Sequence, residues 1–147
     1  MTPSPRRPEQ FSGTTPIILA AGVGSRMGSA TPKVLHPILG RPLAGWVVDS
    51  VRAAFLTTPI VVLSPATASL AAQLGAVSVA EQPKPLGTGD AVRCALPSLP
   101  ANADEVMIAC GDTPLLTSEL LLALAEKRRS LGAPLAVAAF QIGRAHV

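Results

Sequence analysis

Residues 19–33 read Leu19-Ala20-Ala21-Gly22-Val23-Gly24-Ser25-Arg26-Met27-Gly28-Ser29-Ala30-Thr31-Pro32-Lys33, and a short apolar run, residues 16–20, leads into them. An apolar run bounded by turn formers predicts a strand that opens into a glycine-rich loop. Glycine lets the backbone take positive φ and approach a ligand closely. Successive free N–H groups in such a loop form an anion-binding concavity. Arg26 and Lys33 add a planar fork of donors and a compact point charge, which suits a phosphate chain. Glycine-rich turns after strands are nevertheless common and most bind nothing, so spacing alone leaves that choice open. Neither familiar phosphate loop is present: Met27 stands where Gly-x-Gly-x-x-Gly needs its third glycine, and Gly-Lys-Ser/Thr occurs nowhere.

Outward from this loop, strand and helix signals alternate. Residues 40–43 read as a turn into a helix, with Pro42 suited to the first helical position. Leu43, Trp46, Val47, Val51 and Ala54 recur at helical spacing, and Trp46 is expected to pack against the sheet. Residues 60–63 predict a second strand. The Ala-rich residues 66–74 predict a helix stopped by Gly75, and residues 76–80 a third strand. Residues 81–89 hold two prolines and two glycines and predict a loop, followed by a helix over 90–96 and a loop over 97–103. A fourth strand is expected over 105–110. The helix over 118–130 has Thr117 as its cap, Glu119 in its first turn and Lys127, Arg128 and Arg129 in its last. Residues 134–140 form a fifth apolar run. This alternation implies an α/β fold, a mostly parallel sheet with helices on both faces. Such sheets bind ligands beyond the carboxyl ends of their strands. The loops 22–33, 82–89 and 111–114 all follow strands, so topology alone should bring them to one edge.

Composition narrows the function classes. The 147 residues are 48% hydrophobic, enough for the core of one domain. No uninterrupted apolar run approaches ~18 residues, so no membrane span is expected. Arg6 and Arg7 are followed by no apolar segment of the secretory type, and a cytoplasmic location is expected. Cys94 and Cys110 make neither a disulfide framework nor a metal set. The formal charge is +3, but Arg6, Arg7 and Arg144 lie in the tails with Glu9, leaving nine basic and eight acidic groups in the body. That is no nucleic-acid stripe, and 3% aromatics offer little for stacking bases. The Pro-, Ser- and Thr-rich residues 1–15 are expected to be a disordered extension. Residues 16–141 are expected to be the N-terminal portion of one domain. Residues 142–147, Ile-Gly-Arg-Ala-His-Val, read as a translated sequencing adapter, a non-native tail set aside from the fold argument.

The run Leu19-Ala-Ala-Gly-x-Gly-Ser-Arg-Met27, continued by Pro32-Lys-Val-Leu-His36, resembles the signature of sugar-phosphate nucleotidyltransferases. It is most similar to the uridylyltransferase half of the bifunctional bacterial enzymes that make UDP-N-acetylglucosamine. The resemblance covers about residues 17–140, the front part of that family's Rossmann-like nucleotide-diphospho-sugar transferase domain, here incomplete. It implies Mg²⁺-dependent transfer of UMP from UTP to N-acetylglucosamine 1-phosphate, releasing pyrophosphate, in cell-wall precursor synthesis. It also implies that Arg26 and Lys33 neutralise the phosphates and that Leu19, Ala20, Ala21 and Gly22 offer backbone contacts to the nucleotide. Gln82 would then hydrogen-bond the uracil edge, an amide being able to donate and accept at once. Gly87 and Thr88 would line the base and ribose pocket, Cys110 and Gly111 would add nucleotide contacts, and Asp112 would hold Mg²⁺.

By spacing alone, Gln82 reads as a solvated loop residue, and Asp112 could equally cap a turn ahead of Pro114. Asp90 stands where the family often has His, a change a helix start tolerates. Lys84 is expected to be solvated and His36 to be structural. The family completes its metal site with a later carboxylate, and it forms homotrimers and transfers acetyl groups through a hexapeptide-repeat domain. Neither that carboxylate nor that domain is in these 147 residues, so this stretch alone is expected to be inactive and prone to aggregate. Two other readings stay open: a cytidylyl- or guanylyltransferase, and a catalytically dead nucleotide-binding module. No nucleic-acid or membrane partner is expected.

Overall fold

The computed structural model describes residues 11–24 and 28–139. Residues 1–10 of the expected extension, Arg26, and residues 140–147 lie outside the described residues.

Four parallel strands form the main sheet: β1 (Thr14–Leu19), β4 (Ile60–Leu63), β5 (Ser78–Glu81) and β6 (Glu105–Cys110), in the order β5-β4-β1-β6. A small antiparallel pair, β2 (Pro37–Ile38) and β3 (Arg41–Pro42), precedes the first helix. The helices are α1 (Leu43–Phe55), α2 (Thr88–Ala95) and α3 (Ser118–Ser130). Side chains alternate across β1 and β4, as strand geometry demands. Ile18, Val61 and Leu63 join α1 and α3 on one face, where Val47, Val51, Phe55 and Leu121 are buried. Ile17 and Val62 join Ala91 and Ala95 of α2 on the other. Both faces are therefore covered, as expected for a parallel sheet. On β6 the pattern is one-sided: Met107 and Ala109 are buried, while Val106 and Ile108 are 41% and 46% exposed. Among the described residues no helix is long and apolar enough to cross a membrane.

Several expectations are corrected. Folded structure starts upstream of residue 16: Phe11 is buried against Phe55, edge to face at 6.2 Å, and Thr14 and Thr15 pair with β6. Glu105 fastens this corner by accepting from Thr14 Oγ1, Arg128 and Arg129. The segment expected as a helix over 66–74 is a 3-10 turn, Ala68–Gln73. Thr67 Oγ1 anchors its start by accepting from the Ser64 N–H at 2.9 Å, and the left-handed Gly75 closes it, leaving too few residues to propagate an α-helix. Trp46, expected against the main sheet, instead meets the small hairpin: it donates to Ile38 O at 3.2 Å and lies beneath Arg41. The β2–β3 hairpin beneath it turns through Leu39 and Gly40, both at positive φ, as a tight hairpin turn requires. Residues 134–139 are not a strand. They find no partner strand among the described residues, and Leu135 and Val137 stay exposed.

Candidate active site

The four parallel strands end in register, with Leu19 beside Cys110 and Val62, and Leu63 beside Glu81. The ladder runs one bond further at each exit: Ala20 N donates to Val62 O, Gly111 N to Leu19 O and Gln82 N to Leu63 O. The three loops expected to converge therefore leave the same edge. They enclose a cleft of about 310 Å³ lined by Leu19, Ala21, Gly22, Lys33, Gln82, Gly87, Thr88, Cys110 and Asp112, so nine of the expected site residues meet. Ala20 does not line it; its side chain turns to the opposite face and is fully buried. Gly111 is a backbone spacer, since a Cβ there would sit 3.0 Å from Leu19 O.

At the centre, Lys33 Nζ donates to Asp112 Oδ2 at 3.0 Å across 79 residues of sequence. Each side chain is 39% exposed, so the pair faces the cleft. Lys33 is held by the residues around it. Val34 plugs into the core, and His36 Nε2 donates to Thr31 O at 3.1 Å, which leaves the imidazole the structural role expected of it. Gly24 sits at φ +68° with the Lys33 Cβ against its open side; an added Cβ would lie 2.8 Å from it. Among the described residues no three His, Cys, Asp or Glu side chains cluster as a metal cage. Asp112 is thus a single carboxylate at a strand end, the kind of ligand Mg²⁺ takes when substrate phosphates supply the other oxygens.

The other wall carries the amide. Gln82 is 2% exposed, so it is not the solvated loop residue its spacing would suggest. Its Nε2 donates to Gly87 O at 3.2 Å and to Asp90 Oδ2 at 2.7 Å. Gly87, at φ +111°, is the residue before α2 and makes the turn that aims this carbonyl back at the amide. Arg93 and then Gln82 hold the Asp90 carboxyl below its ordinary range by hydrogen bonding. Cys110 is the opposite case: burial, then the charge of Asp112, pushes its thiol up, which keeps it protonated and passive at neutral pH. Lys84 is exposed, as expected. A second cleft of about 340 Å³ opens at the other end of the strands, but no charged side chain lines it.

Sequence reasoning passed over Asp90 as a tolerated change. Its pairing with Arg93 was legible, an acid three residues before a base on one helix face, but its bond to Gln82 was not.

The chain matches the family described as the MobA-like NTP transferase domain over residues 16–147. The bifunctional protein GlmU of Sorangium cellulosum (strain So ce56) is 47% identical over 118 residues, 75% of this chain and 25% of that protein. GlmU of Pelobacter propionicus (strain DSM 2379 / NBRC 103807 / OttBd1) is 40% identical over 133 residues, 88% of this chain and 29% of that protein. The chain thus spans about a quarter of the length of the curated relatives it matches. Among solved structures, the Rv0371c homolog of mycobacterium sp. strain JC1 superposes with a TM-score of 0.68 at 25% identity, over 80% of this chain and 60% of that one. Rv0371c of Mycobacterium tuberculosis H37Rv, solved as a complex with manganese, does so at 0.65 and 24%, over the same shares. These likenesses establish a nucleotidyltransferase-like α/β fold.

Proposed function

Because the chain belongs to the family of MobA-like NTP transferase domains, we propose that it carries the nucleotide-binding part of a uridylyltransferase that joins UTP to N-acetylglucosamine 1-phosphate. The observation that carries this reading is the meeting of two elements in one cleft: the Lys33–Asp112 pair and the Gln82–Gly87–Thr88 wall. The 40–47% identity to GlmU proteins favours uridine and an N-acetylated sugar phosphate over other pairs.

In this reaction an oxygen of the sugar phosphate attacks the α-phosphorus of UTP. The bond from that phosphorus to the β-phosphate oxygen breaks, and pyrophosphate leaves with the electron pair. The nucleophile is already an anion, so no proton needs removing. The obstacle is repulsion among anions and charge gathering on the leaving group, and positioning plus electrostatics lower it. Lys33 supplies a fixed cation beside the phosphates, with Arg26 of the same loop in the same role. Gln82, Gly87 and Thr88 hold the base, and the glycine loop brings backbone N–H groups to the phosphates. Asp112 would hold Mg²⁺, which when bound neutralises phosphate charge.

The test is pyrophosphate release by the full-length protein, these residues alone being expected to be inactive, with N-acetylglucosamine 1-phosphate and each of UTP, CTP and GTP. UTP should be the preferred substrate. Faster release with CTP or GTP would overturn the uridine assignment. UTP binding without turnover would leave a binding module.

A further inference from the structure

Gln82 has one feature that its role in reading a base does not by itself explain: its amide can point only one way. Nε2 lies within hydrogen-bond distance of the Gly87 carbonyl and the Asp90 carboxylate. A carbonyl only accepts. So does a carboxylate once ionised, and Arg93, with Gln82, keeps Asp90 ionised at neutral pH. Turning the amide over would set its oxygen against two acceptors. Both N–H bonds of the amide are therefore spent inside the protein. The Gln82 Oε1 is left without a partner among the described residues, yet it is not a sealed, unsatisfied atom, and its residue lines the cleft.

We propose that Asp90 is a positioning residue for nucleobase choice: it locks the Gln82 amide so that the cleft meets an acceptor and never a donor. This rests on the uridylyl reading above. Uracil presents N3–H, a donor, to such an acceptor. Cytosine presents a bare N3, an acceptor, and the two lone pairs repel. Guanine carries N1–H and behaves like uracil toward this one atom, so any discrimination against GTP must come from other groups. Released from Asp90, the amide keeps only the longer bond to Gly87 O and can turn its NH₂ toward the base. CTP then gains a partner at the position where UTP loses one.

The experiment measures binding of UTP, CTP and GTP to the full chain by calorimetry, for the unaltered protein and for Asp90→Ala, Asp90→Ser and Asp90→Asn. Thermal melting checks that each variant is folded. Asp90→Ala should lower the UTP-to-CTP affinity ratio about tenfold, the scale of one hydrogen bond to a charged group, and leave the UTP-to-GTP ratio within about twofold. Asp90→Ser keeps a residue suited to a helix start but is too short to reach the amide; it should behave like Ala if Ala proves unstable. Asp90→Asn retains an acceptor oxygen and should keep most of the original ratio. An equal loss for all three nucleotides, or an unchanged UTP-to-CTP ratio in a folded Ala or Ser variant, would overturn the inference and leave Asp90 structural. If the unaltered protein itself fails to prefer UTP over CTP, the uridylyl reading fails first, which separates the two outcomes.

Discussion

Replacing Lys33 by Ala tests the proposed site most directly, because one side chain makes two connections. Nζ is bonded to Asp112 at 3.0 Å, and both side chains are 39% exposed. A unit charge about 4 Å from a phosphate oxygen is worth about 1 kcal/mol in water and about 4 kcal/mol at the dielectric of a protein surface. A half-open cleft lies between these limits, so the lost cation should cost about 2–3 kcal/mol at the transition state, about 30- to 150-fold in kcat/KM. The loss should fall on kcat, because charge gathers on the leaving pyrophosphate only as the bond breaks. The KM for the sugar phosphate should change less than threefold. The same substitution removes the ion-pair partner of Asp112, so the Mg²⁺ concentration giving half-maximal rate should fall, not rise. A coupled pyrophosphate assay with the full-length protein, titrated in UTP, sugar phosphate and Mg²⁺, reads all three quantities. Equal losses in kcat and sugar-phosphate binding, or a raised Mg²⁺ requirement, would refute the assignment of Lys33 to the triphosphate.

Gly24→Ala should disturb the same lysine indirectly. The new Cβ would meet the Lys33 Cβ at 2.8 Å on a backbone at φ +68°, so kcat should fall at least tenfold with a stability loss of only about 1 kcal/mol; unchanged kcat would show that Lys33 is not held by that contact. Phe11→Ala should cost about 3 kcal/mol in denaturant unfolding, since it empties a buried aromatic site against Phe55 and Arg129; a loss under about 1 kcal/mol would put Phe11 outside the core. Stability should also fall in acid through Glu105. Burial pushes its carboxyl up, but hydrogen bonds from Arg129, Thr14 and Arg128 outweigh that and hold it below its ordinary value of 4.5. Its contribution is therefore present above its ordinary value of 4.5 and lost as pH falls through the lowered value it has in the folded protein. Tm measured from pH 7 to 3 should decline less steeply in Glu105→Gln, and identical slopes would refute the coupling.

What the sequence makes legible is what short-range chemistry decides. The strands β4 and β6 and the helix α3 fall at residues 60–63, 105–110 and 118–130 as expected, because apolar runs bounded by turn formers, and a Thr cap that accepts from Leu120 N, are local signals. Phe11 was hidden because its partners are far away: Phe55 lies 44 residues on, and Arg129 later still. Residues 134–139 show the converse. Their apolar composition suits a strand, but a strand exists only where a neighbour accepts its ladder, and none does so among the described residues. The two-residue strands β2 and β3 are too short to carry a period. In the site, the phosphate-loop residues were legible from glycine and charge pattern, whereas the bond from Gln82 to Asp90 appears only when the turn at Gly87 folds the loop back on itself.

The order of strands also orders the proposed chemistry. Gln82 and its amide lock follow β5 at one edge of the sheet, the glycine loop with Lys33 follows β1, and Asp112 follows β6 at the other edge. At about 4.8 Å between neighbouring strands, β5 and β6 stand about 14 Å apart, room for a nucleotide laid across the strand ends with its base over β5 and its phosphates toward β1 and β6. In that pose the reacting phosphorus lies on the β6 side, so the acceptor sugar phosphate must come from beyond β6 or from above the cleft. Beyond β5 the base wall blocks it. Val106 and Ile108, on the sheet face opposite Met107 and Ala109, stay half open. In that pose, groups that select the sugar belong on the β6 side of the strand ends rather than on the nucleotide wall.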